Sequence, residues 1–552
     1  MSVKKLPQRG LFEAKSYFGP MLEGQKSAEK FYFFREKVWP KLKSMGPRLE
    51  EMYCEENGRP GVNPVRLLAT TILQFTERLP DRDAAERVVC DVRWRIALEM
   101  DLEEKGFDST VLVRFRDRLL EHGKESVGFD AALDVLREAG YLTKKKRGRV
   151  DSTHVLGLVA QMSRLECVRE AMRLALEALE SEERLSRPES WPQWWERYVE
   201  SKPDYKAKVE ILRLKMNQAG QDAHAMLSWV KTLPEEVRKI GALEVLGKVF
   251  EENFECTEQG AVDQRRAQPA GAVHNPNDPE AHWSCKDTTK RKEWVGYKAQ
   301  VAETVEEEPR EKGEPTKSVI TAIVTQDAIA SDKAALPVVE KALEASGEAK
   351  PEITYTDAGY SSGAELARAQ EEGRELKAPM QPSPERDGRY TAEEFDVSVE
   401  NRVAVCPAGK QSTNCSRMEE AKTGKVTVRF EWNNGICGEC PVRGKCLGND
   451  QKHRSLLVGE HHDLVQARRK EQKTREFKQD MRHRNGIEGT ISELARGYGL
   501  RRCRYRGQAR TRLQNLFIGA ACNIKRWFRR VTWEARNAAE NALSAAASVA
   551  TT

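Results

Sequence analysis

Residues 144–159 read KKKRGRVDSTHVLGLV, and the division of the whole chain follows from how this stretch is taken. A basic run from Lys144 to Arg149 gives way to β-branched residues centred on Val150 and Val155, a composition that predicts a strand. Asp151 lies inside it, between Val150 and Ser152. Strand interiors disfavour aspartate, and an unpaired buried charge is costly, so a carboxylate here calls for a partner.

Upstream, residues 25–140 read as helical throughout. Pro64 opens NPVRLLATTILQFTERL, whose apolar face holds Leu67, Leu68, Ile72, Leu73 and Phe75, and Pro80 follows it. DRDAAERVVCDVRWRIALEM is a second helix or a pair beginning near Asp81. Asp108-Ser109-Thr110 then offers a cap to VLVRFRDRLLEHG, which stops at Gly123. Short helices, the third carrying Arg114, Arg116 and Arg118, resemble a helix-turn-helix bundle, although a plain helical packing domain gives the same pattern.

Downstream, residues 160–255 return to charge-rich helix with a cluster of Trp191, Trp194 and Trp195. Residues 257–293, full of Gly, Pro, Asn and Asp, read as loop. EWVGYKAQVAETV and KSVITAIVTQDAI are two strands joined by the polar stretch EEEPREKGEPT. DKAALPVVEKALEAS is a helix, ITYTDAGY a strand, SSGAELARAQEEG a helix and LKAPMQP a short strand. With the helical insert set aside, three antiparallel strands precede strands alternating with helices. That order predicts an α+β to α/β fold with a ribonuclease-H-like catalytic core, a mixed sheet flanked by helices.

The expected divisions are a helical DNA-binding domain over 1–140 and the first part of the core over 141–380, with its helical insert at 160–255. A cysteine-rich insert follows at 381–456, then basic helices of the core at 457–535 and an Ala-rich tail at 536–552. At 552 residues the chain is long enough for several cores. It has 39% hydrophobic and 32% charged residues and no apolar run long enough for a membrane span. The stretch MSVKKLPQRGLFEAKSYFGP lacks the apolar region of a signal peptide, which predicts a cytoplasmic protein.

Net charge is only +6, but its placement is uneven. Residues 461–530 hold nineteen Lys or Arg against six Asp or Glu, so the remainder of the chain is net acidic. Six arginines (Arg501, Arg502, Arg504, Arg506, Arg510 and Arg512) crowd into RRCRYRGQARTR beside Tyr498 and Tyr505. Such asymmetry marks a surface that meets a polyanion.

Asp357 repeats the situation of Asp151, at the end of ITYTDAGY and before Gly359. The carboxyl ends of strands are where open α/β sheets bind ligands. Glu488 lies on a late helix, four residues after Arg484 and therefore on the same face. Two aspartates and a glutamate from two strands and a helix suit two Mg²⁺ (or Mn²⁺) ions, hard cations that take oxygen ligands and phosphate. Arg484 would then clamp a phosphate. Glu493 is the rival third acid, but five residues on it faces another side of the helix.

Cys437-x2-Cys440-x5-Cys446, with Cys406-Pro407 upstream, reads as one structural Zn²⁺ site of four thiolates; Cys415 is spare and His453 could replace one ligand. Reduced free cysteines are the alternative, since a chain without a secretory signal meets a reducing compartment.

VDSTHV, GYK, TDAGY and RNGIEGT followed by LRRCRYRG resemble bacterial DDE insertion-sequence transposases that carry an InsH-like N-terminal domain. NPVRLLATTILQFTERLPDRDAAERVVCDVRWRIALEM with FDSTVLVRFRDRL is similar to that domain, and the likeness spans roughly residues 15–530. The resemblance implies that Asp151, Asp357 and Glu488 are the catalytic acids. It also implies that the protein binds double-stranded DNA at terminal inverted repeats, cleaves the ends and joins 3′-hydroxyls to target DNA. A homodimer or higher oligomer on DNA follows from pairing two ends. Relatives often carry Tyr-x-x-Arg-x-x-x-Glu-x6-Lys around the glutamate; Arg484 and Glu488 match it, whereas Met481 and Ala495 replace the Tyr and Lys, with Arg496 one place later. A nuclease without strand transfer and a non-catalytic, zinc-containing DNA-binding protein are the competing readings.

Overall fold

The computed structural model describes residues 6, 13–54, 61–142, 146–182, 185–202, 205–257, 261–287, 292–308, 310–383, 388–421 and 424–550. Lys144 and Lys145 of the basic run, parts of the expected loop at 257–293, part of the cysteine-rich stretch and the last two residues of the tail lie outside these.

The strand quoted first runs Arg147–Leu156 and is labelled β1. The other strands of its sheet are β2 (His282–Asp287), β3 (Lys292–Thr304), β4 (Ile320–Asp327), β5 (Ile353–Tyr355) and β6 (Glu375–Lys377). β3 lies between β1 and β4, antiparallel to both, while β5 and then β6 add in parallel on the far side of β1. This mixed sheet, three antiparallel strands followed by parallel ones, is compatible with the expected core. β2 was not foreseen. It pairs antiparallel with the start of β3 through Trp283–Val295 and Ser284–Trp294, within a segment whose Gly and Pro content masks two alternating residues of strand.

The two faces of the sheet carry different cores because side chains alternate along each strand. Val155, Tyr297, Ala299 and Val301 join a cluster with the late helix Arg482–Tyr498 and the terminal helix Gln508–Ala550. Val150, Ala302 and Ala322 face helices Ala335–Ala345 and Gly363–Glu371. The terminal helix is fastened along β4: Asn523 exchanges hydrogen bonds with the Ile320 backbone at 3.0 and 2.8 Å, and Asn515 donates to Thr325 at 2.8 Å. It remains helical to Ala550, through the described part of the Ala-rich tail.

The first helices have no core of their own. Leu68, Ile72 and Phe75 of helix Pro64–Glu77, and Phe129 and Leu133 of helix Val127–Glu138, belong to the same cluster as Phe517, Ile518 and Ala521 of the terminal helix. Phe75 stacks on Phe517 with centroids 5.7 Å apart. One apolar core therefore crosses position 140. Asn63 caps the Pro64 helix as its sequence suggests, and Asp108 rather than Ser109 accepts the Thr110 amide ahead of helix Thr110–Glu121.

Residues 164–253 form a second helical cluster around Trp191, Trp194, Met216, Ala223 and Leu246, separate from the sheet. The cysteine-rich stretch at 381–456 is built around short strands. A two-stranded ladder joins Asp396–Ser398 to Val403–Val405, and a three-stranded one joins Asn414–Glu419, Val426–Glu431 and Ser455–Gly459. Its small core holds Phe430, Trp432, Cys437 and Cys446.

Candidate functional site beside the central strand

Asp151 is buried on β1, opposite Val301 of β3. β1 and β5 run parallel with Arg149 beside Tyr355, and Asp357, two residues past that pair, lies close enough for its charge to act on Asp151. The strand itself is shorter than ITYTDAGY suggests. It ends at Tyr355, and Asp357 sits in a turn where its Oδ1 accepts the Gly359 amide at 2.7 Å. Burial raises the Asp151 pKa, and the nearby Asp357 carboxylate raises it further, against lowering contributions from the Ser152 amide, Arg484 and Lys286.

The late helix brings the third acid. Arg484 donates through Nη2 to Asp151 Oδ2 at 2.9 Å and through Nη1 to Glu488 Oε1 at 3.0 Å. One planar guanidinium thus spans two of the three acids, and its Nε is buried without a partner among the described residues. Glu488 is itself exposed, its side chain 67% accessible. Glu493, the rival, is taken up by Arg526 at 2.9 Å and Arg529 at 3.3 Å.

A buried ionic network sets the helix against the sheet. Glu303, wholly buried on β3, accepts Arg149 Nε at 2.7 Å, Arg526 Nη1 at 3.1 Å and the Thr490 hydroxyl at 2.7 Å. Arg149 also donates to the His483 carbonyl at 2.8 Å. Gly486 leaves room for it, since a methyl group there would overlap the Arg149 guanidinium. Asp480 ties the approach to the helix to β5 and β6 through the Tyr355 hydroxyl at 2.9 Å and Lys377 at 2.8 Å.

Gly499 ends the late helix in left-handed backbone (φ 78°), where glycine is at no disadvantage, and turns the chain into RRCRYRG. This segment returns to β1: the Leu156 amide donates to Arg501 O and the Cys503 amide to Leu156 O, each at 2.9 Å. Arg501 Nε donates to Thr153 at 2.9 Å, and Arg501, Arg502 and Arg506 are exposed. Arg504 turns inward instead. It lies over the Phe75 ring, bonds Leu79 O at 2.7 Å and has its pKa lowered by burial, because the first helices offer it an aromatic face. Arg510 pairs with Asp117 at 2.9 Å and Arg512 with Glu125, both remaining half exposed. Arg116, read as one of a basic row, pairs with Asp81 at 2.5 Å and is buried. Lys286, on the unforeseen β2, is exposed and adds positive charge beside Asp151 and His154, a contribution no motif signalled.

The cysteines gather without closing. Cys437 and Cys446 are buried in one small core, Cys406 and Cys415 pack against it, and the Cys446 pKa is raised by burial and then by Cys437, Cys406 and Cys440. His453 is exposed and bonded to Asn434 at 3.0 Å. Among the described residues, however, no three His, Cys, Asp or Glu side chains converge as a metal-ligand set, either here or at Asp151. At Asp151 the reason is visible, since Arg484 stands between two of the acids.

A family model described as Transposase DDE domain matches residues 405–528, and one described as Transposase domain (DUF772) matches residues 21–118. Two segments of the chain thus match models of transposase domains. The first match takes in Cys406, Cys415, Cys437, Cys440, Cys446, Arg484, Glu488 and the 501–512 arginines, while Asp151 and Asp357 lie outside both. No curated protein and no solved structure matches the chain. Among its described residues no helix is long and apolar enough to cross a membrane.

Proposed function

We propose that this transposase, with a ribonuclease-H-like core, binds the terminal inverted repeats of an insertion sequence, cleaves the element ends and joins the 3′-hydroxyls to target DNA. The observation that carries the reading is the closeness of the Asp357 charge to Asp151, with Arg484 linking Asp151 to Glu488. Carboxylate oxygens suit Mg²⁺ or Mn²⁺, and the mutual repulsion of Asp151 and Asp357 is what a cation relieves, so Asp151, Asp357 and Glu488 are the residues that would hold it. When bound, two such ions supply activation of a water or 3′-hydroxyl and stabilisation of the leaving oxygen.

The chain's own groups do the rest. Arg484, released from a carboxylate, can bond a phosphate oxygen with its unpartnered Nε. Arg501, Arg502 and Arg506, with Arg510 and Arg512 where their acids yield, track the DNA backbone with salt-sensitive affinity. Recognition of the repeat sequence resides in residues 60–125, and two bound ends call for a dimer or higher oligomer in the cytoplasm. We include one structural zinc, supported by the gathering of Cys406, Cys437 and Cys440 around Cys446; no step of the reaction depends on it. Chain purified without chelator and free of zinc would remove that part alone.

Asp151→Asn, Asp357→Asn and Glu488→Gln should each abolish cleavage and joining of end-containing DNA in Mg²⁺ while still shifting that DNA in a gel. Normal cleavage by any of the three overturns the assignment. Cut ends that are never joined to a plasmid would instead favour a nuclease.

A further inference from the structure

β5 ends at Tyr355, so sheet hydrogen bonds stop two residues short of Asp357. Something else must hold this carboxylate at its distance from Asp151, against like-charge repulsion. Three residues past Asp357, Tyr360 drops into the opposite face of the sheet and is wholly buried. Its hydroxyl donates to Gln300 Oε1 and is bonded by the Ser152 hydroxyl. Gln300, also wholly buried, is the cross-strand partner of Ser152, the residue next to Asp151. Gln300 Nε2 donates in turn to Gln326 at 3.0 Å and Asp332 at 3.2 Å, and Lys298 closes the row on Asp332 at 3.1 Å.

We infer that Tyr360 is a positioning residue for the paired aspartates, its phenol and Gln300 forming the rung that sets the Asp357 turn at a fixed distance from the strand bearing Asp151. The rung lies on the face of the sheet opposite Asp151 and meets its strand at Ser152, and among the described residues none of its buried side-chain atoms lacks a partner, the condition under which a buried network specifies one geometry. Burial, and then the charges of Asp332, Asp151 and Asp357, push the Tyr360 pKa far above the ordinary tyrosine range, so the phenol keeps its proton and remains a donor. Phenylalanine would fill the same volume and leave the two acids free to separate.

The inference rests on Asp151 and Asp357 forming a metal-holding pair, and the experiment separates the two claims. Mn²⁺ binding to the DNA-free full chain is measured by electron paramagnetic resonance, alongside the Mg²⁺ dependence of cleavage, for wild type, Tyr360→Phe, Gln300→Leu and Asp151→Asn. Wild type should bind Mn²⁺ and Asp151→Asn should not. Tyr360→Phe should bind about tenfold more weakly, equivalent to about 1.4 kcal/mol, with a parallel rise in the Mg²⁺ needed for half-maximal cleavage. Its DNA affinity and melting temperature should change little. Gln300→Leu should shift Mn²⁺ binding in the same direction. Wild-type Mn²⁺ affinity in Tyr360→Phe overturns the positioning role alone. A wild type that binds no Mn²⁺, or Mn²⁺ binding that survives Asp151→Asn, overturns both claims. A large fall in melting temperature with unchanged Mn²⁺ affinity assigns Tyr360 to packing only and also overturns the inference.

Discussion

Replacing Glu303 by glutamine tests whether the buried ionic network holds the late helix in place. The carboxylate is wholly buried, 2.7 Å from Arg149 Nε and 3.1 Å from Arg526 Nη1. The amide keeps the shape but removes the charge, and where its NH₂ faces a guanidinium it sets donor against donor. Removing one partner of a buried ion pair costs about 3–5 kcal/mol. Arg526 keeps Glu493 at 2.9 Å, which places the expected loss near the lower end, about 3 kcal/mol. That is a large share of the roughly 5–15 kcal/mol that stabilises an ordinary domain. Cleavage should fall as well, because Arg149 supports the His483 carbonyl one residue before Arg484. Urea unfolding followed by tryptophan fluorescence measures the loss. Glu303→Met combined with Arg149→Met replaces the pair with apolar groups and should recover about 2 kcal/mol relative to Glu303→Gln. A loss under about 1 kcal/mol for Glu303→Gln, or a double variant no more stable than the single one, would refute the reasoning.

Two further outcomes follow from local geometry. Gly486→Ala should destabilise by about 1–3 kcal/mol through overlap with Arg149, although alanine ordinarily favours a helix interior by up to about 1 kcal/mol; a melting temperature above wild type contradicts the close approach. His462 is buried, its Nε2 has no partner, and burial lowers its pKa to about 4. The unfolded chain therefore takes up this proton first as pH falls through about 6.5, and the native state loses stability from there down to about pH 4, where the loss levels off. Between pH 6.5 and 5 the penalty is about 2 kcal/mol, so His462→Gln should show a flatter fall of urea midpoint over that range. An unchanged slope rules His462 out as the cause.

The order of strands was legible because β1, β3 and β4 are long, β-branched and bounded by polar turns, and Asp151 stood out as a charge inside such a run. Arg484 and Glu488 were legible as a helical pair from their spacing of four. Asp357 was placed on the strand, yet its side chain captures the Gly359 amide and ends the ladder early, a competition between side chain and backbone that periodicity does not report. β2 and the ladders around the cysteines escaped notice for a related reason: short strands among Gly, Pro and Asn have too few alternating residues to register. The arginines of RRCRYRG were read as one basic surface, but Arg504 found an aromatic ring on a helix more than 400 residues away. The link between Asp151 and Tyr360 was equally invisible, since it depends on a cross-strand partner, Gln300, that only the register identifies.

The apolar core shared by the first and last helices has a consequence for how the protein is made. Leu68, Phe75 and Phe129 leave the ribosome roughly 390–450 residues before Phe517 and Ile518, the side chains they pack against, a delay of about 20–90 s at ordinary synthesis rates. During that interval the amino-terminal helices have an unfilled face and nothing yet synthesised to cover it. Maturation is thus governed by the end of translation rather than its beginning. A message cut short before the terminal helix would leave a nascent product with a greasy, unsealed surface, marked for chaperones and proteases instead of a surviving folded fragment.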